Sequence, residues 1–191
     1  MAMRWPAVLV VAACSSPSQG PTRVPAAIVE TIPNKDVDVL FLIDDSISLD
    51  METHLKDALP RFIDVLNEHG GFPNVHIGVA TSDLGTSAIA DADPGPTIGG
   101  APGGCAGHGK NGNLQTNGST DVNGAFISDV ANSDGSRTRN YSGALTDALD
   151  AIASVGTNGC GFEQPLEGIE RALDNNPANT GFLRPDANLA V

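Results

Sequence analysis

One stretch constrains this chain more than any other. Val37-Asp38-Val39-Leu40-Phe41-Leu42-Ile43 is a short, nearly continuous apolar run, rich in branched residues, that stops at Asp44-Asp45. A strand with one wet face alternates polar and apolar residues. A run apolar on both faces has to be covered on both, as strands of a parallel sheet are. A helix pattern follows at once: Met51, Leu55, Leu59, Phe62, Ile63 and Leu66 form one apolar stripe. Asp50 suits its N-cap and Gly70-Gly71 its stop. Pro60 removes one backbone hydrogen bond, which predicts a kink or two abutting helices. His76 to Thr81 reads as a second strand, bounded by Pro73 and by Ser82-Asp83-Leu84-Gly85. Strand, helix, strand points to an α/β layer fold.

The middle of the chain has another texture. Gly, Pro, Asn, Ser and Asp dominate residues 86–139, with Gly99-Gly100-Ala101-Pro102-Gly103-Gly104 as the extreme. The expectation is a long Gly-, Asn- and Ser-rich insertion holding at most a short strand at Ala125-Phe126-Ile127, an unusual length for a loop inside a domain. Helical stripes return at Leu145, Ala148, Leu149 and Ile152, and again at Leu166, Ile169, Ala172 and Leu173, where Pro165 fits the first turn. Asn188-Leu189-Ala190-Val191 reads as a strand just beginning, so a C-terminally incomplete domain is expected. The fold expected over 37–191 is α/β: a doubly wound, mainly parallel sheet flanked by helices. With 191 residues the chain suits one domain, and with 4% aromatics its core is aliphatic.

The first residues read as a targeting segment. Arg4 precedes an apolar run from Ala7 to Ala13, too short to span a bilayer. Val11-Ala12-Ala13-Cys14 resembles the lipobox of bacterial lipoproteins. That likeness implies a signal peptide over 1–13, a lipid on Cys14 that tethers the chain to a membrane, and a location in the cell envelope: outer membrane, periplasm or cell surface. Residues 14–36 then form a lipidated tether and linker, from the polar Ser15–Gly20 stretch to Pro21, Pro25 and Pro33. Export into an oxidising compartment makes a Cys105–Cys160 disulfide the expectation, since two thiols fall short of a structural zinc site. A net charge of −13, from 23 acidic against 10 basic residues, leaves no Lys/Arg patch for phosphates, so nucleic acid is not an expected partner.

The chemistry concentrates at Asp44-Asp45-Ser46-Ile47-Ser48, where the buried strand gives way to helix. In open α/β sheets that carboxyl edge is where ligands bind. Asp44, Ser46 and Ser48 alternate, so an extended turn aims all three side chains at one point, while Asp45 points the other way. One carboxylate and two hydroxyls are hard donors suited to Mg²⁺, with Mn²⁺ or Ca²⁺ tolerated. The bland alternative is a polar turn whose Asp and Ser cap backbone N–H groups.

Asp44-x-Ser46-x-Ser48 after an apolar strand resembles the first segment of the metal-ion-dependent adhesion site of von Willebrand factor A (VWA) domains. Val37–Phe62, His76–Gly85 and Gly156–Leu173 look like a bacterial lipoprotein subgroup of that family. The resemblance implies a surface-anchored, non-enzymatic binding module whose Mg²⁺ takes a carboxylate from a protein ligand. It also implies a second metal segment, for which Thr157 is the choice and Glu163 the reserve. The family's final Asp would lie beyond Val191, so weak metal affinity is expected. Two other readings stand beside this one. The first is a structural envelope lipoprotein with an inactive metal site. The second is an aspartate-dependent, phosphatase-like hydrolase, although Ser46 occupies the place where such enzymes carry a second Asp. Asp83 reads as a cap or a supporting group. Asp121–Gly124 and Asn132–Gly135 read as turns, and the four His residues lack metal-ligand spacing. No phosphate loop, dinucleotide fingerprint or Gly-x-Ser-x-Gly elbow is present.

Overall fold

The apolar run forms β1, Asp36–Ile43, which lies inside a five-stranded sheet. The structure, a computed structural model, describes residues 34–47, 49–68, 71–87 and 95–191. The expected signal peptide, the lipidation site Cys14, most of the tether and Ser48 lie outside the described residues.

From β1 the chain runs through α1, Leu49–Glu68, into β2, Asn74–Thr81. β2 lies parallel to β1, with Val39 opposite Ile77 and Ile43 opposite Thr81. α1 starts one residue before the expected cap Asp50 and continues through Pro60 as a single helix. Pro60 is exposed, so the hydrogen bond it removes lies on the wet side of the helix.

The Gly-rich segment contributes more structure than its composition suggests. β3, Gly95–Ile98, and β4, Cys105–Gly107, pair antiparallel as a separate two-stranded sheet. β5, Ile127–Ala131, adds antiparallel to the free edge of β2, and β6, Arg137–Arg139, pairs antiparallel with β5. After α2, Leu145–Ala153, and α3, Pro165–Leu173, a single 3-10 turn at Pro177–Asn179 leads to β7, Asn188–Ala190. β7 lies parallel to β1 on its other edge, so the order is β6-β5-β2-β1-β7. The sheet is therefore mixed, where the sequence suggested a mainly parallel one. Its antiparallel half is built from the segment expected to be a loop. A hairpin needs no crossover helix, and strands this short carry only Ile127 and Val130 as large apolar residues.

Alternation along β1 divides the core between the two faces. Val39 and Ile43 pack with Val75, Ile77 and Val79 of β2, Leu59 of α1, and Leu149 and Ile152 of α2. Leu40 and Ala80 face the other side and pack with Ala172 of α3, Leu114 and Phe182. Helices thus cover both faces, the condition set by a strand with no wet side. Asp38 is the exception within the apolar run. It is buried and takes hydrogen bonds from the Arg184 backbone N (2.7 Å) and Nε (2.8 Å). A charge this deep needs such a partner, and it fixes the chain just before β7 onto β1.

Candidate functional site at the carboxyl end of β1

β1 ends at Ile43, and the next three residues form the site. Asp44 Oδ1 accepts a hydrogen bond from Ser46 N at 2.8 Å, a tight turn that points the Ser46 side chain back toward the sheet edge. The Ser46 hydroxyl donates to Glu163 Oε1 at 2.8 Å. Glu163 sits in the irregular stretch between α2 and α3, two residues before Pro165 opens α3. That stretch crosses the carboxyl edge and is stitched to it. Gly159 N donates to Asp45 O (2.8 Å), and Gln164 N donates to Ser82 O (3.0 Å), just past the end of β2.

Asp45 faces away from this cluster and is fully buried. Its Oδ2 is paired with Lys110 Nζ at 2.6 Å, while Oδ1 has no hydrogen-bond partner among the described residues. Burial outweighs the pull of Lys110 and pushes the Asp45 carboxyl above the ordinary aspartate range. Gly159 is what allows this packing: a Cβ there would come within 2.4 Å of Asp45 Cγ. Lys110 also donates to Val155 O at 3.4 Å, and its backbone N donates to Asp83 O at 2.8 Å. Asp83 turns its Oδ1 to Gly85 N at 2.9 Å, so it serves as a cap.

Of the residues singled out by sequence, Ser46 touches two others: its backbone N bonds to Asp44 and its hydroxyl to the reserve residue Glu163. Thr157, the first choice, is half-buried and makes no hydrogen bond to Asp44 or Ser46 among the described residues. Cys105 and Cys160 are joined by a disulfide, as expected. Asp134 accepts from Ser136 N at 2.9 Å, a plain turn at the β5–β6 connection. Lys110 escaped the sequence reading altogether. A single lysine in a Gly-rich loop carries no signal that a buried carboxylate waits for it.

Chemically, the Asp44–Ser46–Glu163 set offers two carboxylates and a hydroxyl, all hard oxygen donors. The Lys110 ammonium is taken up by Asp45 and does not neutralise the set. A serine hydroxyl that donates its proton to a carboxylate keeps its oxygen lone pairs free. The donor chemistry therefore fits a small divalent cation. No cluster of three or more His, Cys, Asp or Glu side chains suited to a metal occurs among the described residues, so any ion here would depend on hydroxyls and water as well.

A cavity of about 340 Å³ opens nearby, lined by Gly85, Thr86, Ser87, Ile98, Cys105, Phe162 and Gln164. Phe162 and Gln164 flank Glu163 in the chain, and Phe162 and Ile98 are exposed. No helix among the described residues is long and apolar enough to cross a membrane. Compared with known proteins, the chain matches no family model, no curated protein and no solved structure.

Proposed function

We propose that this chain is a divalent-metal-dependent protein-binding module of the VWA type, anchored to the cell envelope through a lipid on Cys14. The observation that carries the reading is the pair of contacts at Ser46 where β1 ends: its backbone N donates to the Asp44 carboxylate and its hydroxyl to the Glu163 carboxylate. The sheet supports it in a second way. The β5-β2-β1-β7 order, with β1, β2 and β7 parallel, β5 reversed and helices on both faces, suits a doubly wound sheet whose ligand edge is the carboxyl end of β1.

Asp44 and Ser46 would hold the ion, with Ser48 as a further hydroxyl outside the described residues. Glu163 takes the place first given to Thr157, orienting Ser46 and adding negative charge. A bound Mg²⁺ or Mn²⁺ supplies a positive centre with a coordination position open to a partner's carboxylate. The chain's own part is to fix that position. The Asx turn at Asp44 sets the direction of Ser46, and Lys110 neutralises Asp45 so that the buried charge does not distort the turn.

Titration of the full chain with Mn²⁺, followed by the loss of the free-ion paramagnetic resonance signal, tests this. One ion per chain is expected, with affinity falling at least about tenfold in Asp44→Ala and in Ser46→Ala. Binding that neither substitution alters would contradict the reading. Turnover of an aryl phosphate that disappears in Asp44→Ala would favour the hydrolase reading instead.

A further inference from the structure

Glu163 is exposed and belongs to a stretch with no regular secondary structure, so packing does not hold its carboxylate at Ser46. What holds the stretch is a series of ties centred on Cys160. One residue before it, Gly159 donates to Asp45 O and lies too close to the Asp45 carboxylate to carry a side chain. One residue after it, Gly161 N donates to Gly103 O at 2.9 Å. Cys160 itself is bonded to Cys105, the first residue of β4, with the two Cα atoms 4.5 Å apart, and both cysteines are buried. β4 is anchored in turn: Gly107 O accepts from Thr86 N (2.9 Å) and Ser87 N (3.0 Å), just beyond the end of β2. Disulfide, hairpin and strand end thus form one closed path from β2 to Glu163.

We propose that the Cys105–Cys160 disulfide is a positioning element of the Ser46–Glu163 site: it keeps residues 159–164 in register with the end of β1 and so places the Glu163 carboxylate at the Ser46 hydroxyl. Its functional meaning rests on the metal-site reading above; the positioning itself does not. A cross-link near a site restricts the loop that carries the site's acid, and a loop anchored only by a few exposed hydrogen bonds opens easily. Cutting the cross-link therefore frees Glu163 before it unfolds the sheet.

The test uses the full chain carrying Cys105→Ala and Cys160→Ala, with two readouts. Amide hydrogen exchange at Gly159, Gly161 and Gln164 is expected to speed up at least about tenfold while core amides of β1 and β2 change less. Mn²⁺ affinity is expected to fall about tenfold or more. Val75→Ala, a buried residue at the amino end of β2 opposite Val37, away from this edge, serves as the control. It is expected to lower the melting temperature without moving either readout. Should the double alanine variant not fold, Cys105→Ala with Cys160→Val refills the space and is read the same way. Wild-type exchange at the three amides overturns the proposal. So does faster exchange with unchanged Mn²⁺ affinity. If the wild type binds no Mn²⁺ yet the exchange accelerates, the metal reading fails and the positioning of the segment stands.

Discussion

Gly159→Ala probes the packing between the 159–161 stretch and the buried Asp45. The added Cβ would lie 2.4 Å from Asp45 Cγ, 2.4 Å from Oδ1 and 2.6 Å from Oδ2. Carbon atoms rest about 3.5–4.0 Å apart, so something must move by roughly 1 Å. Neither side yields easily. Asp45 is fully buried and paired with Lys110, and the 159–161 stretch is held by the Asp45 carbonyl, the Gly103 carbonyl and the disulfide. Overpacking of a filled interior costs about 1–3 kcal/mol. Pulling the carboxylate off its one cationic partner adds about 1.5–3 kcal/mol for a charged hydrogen bond. Together these give a destabilisation of about 2.5–6 kcal/mol, which lowers the melting temperature by at least roughly 5 °C in a domain of this size. Circular dichroism melts and urea titrations of wild type and variant measure it. Gly100→Ala, with open space around its Cβ and no left-handed φ, should leave stability within about 0.5 kcal/mol of wild type. A Gly159→Ala variant melting within about 2 °C of wild type would show that the Asp45 carboxylate does not lie beneath Gly159.

Two further results are expected. Lys110→Met leaves a buried carboxylate without its cation and should cost about 2 kcal/mol at neutral pH, a figure reduced because Lys110 is partly exposed. Burial raises the Asp45 pKa in the fold, so the protonated form is the one folding favours: its stabilisation is present below the ordinary aspartate value of 3.8 and is lost as pH rises through the raised folded value. The Lys110→Met deficit should therefore shrink toward pH 4, and adding Asp45→Asn should recover part of it at pH 7; a deficit equal at both pH values in urea titrations would refute this. His76 titrates below its ordinary 6.5 because burial disfavours its charged form, opposed by its hydrogen bond with Phe182 O (2.8 Å) and by Asp38, while Arg184 reinforces the shift. The unfolded chain thus takes up a proton at His76 before the folded one does, and stability should fall as pH drops from 6.5 toward the lower folded value. In His76→Gln that part of the pH slope should vanish, which urea midpoints taken between pH 7.5 and 5.5 would register.

The α/β frame was legible because it is written in apolar periodicity. β1, α1, β2, α2 and α3 turn apolar residues inward at strand or helix spacing, and the structure finds these elements close to where the spacing puts them, although Leu166 of the α3 stripe is exposed. What stayed hidden depends on polar pairs remote in sequence. β5 is fastened by Asp129, which takes Arg137, Arg139 and Tyr141 on one carboxylate, and none of these residues carries an apolar pattern. Asp38 and Arg184 are 146 residues apart, and no local rule links them. The site divides the same way. Asp44 and Ser46 follow from the end of a buried strand, a feature of local sequence. Which of Thr157 and Glu163 lies at the Ser46 hydroxyl depends on where an irregular segment crosses the sheet edge. Pro165 was the available clue: a proline at the first helical position fixes the start of α3, which leaves Glu163 just outside the helix, at the edge.

Diffraction from crystals soaked in Mn²⁺, collected near the manganese absorption edge, reaches the central claim most directly. One anomalous peak is expected beside the Asp44 carboxylate and the Ser46 hydroxyl, at about 2.1–2.2 Å from their oxygens, absent in Asp44→Ala crystals. A peak elsewhere only, or none at this edge in wild-type crystals, would contradict that claim.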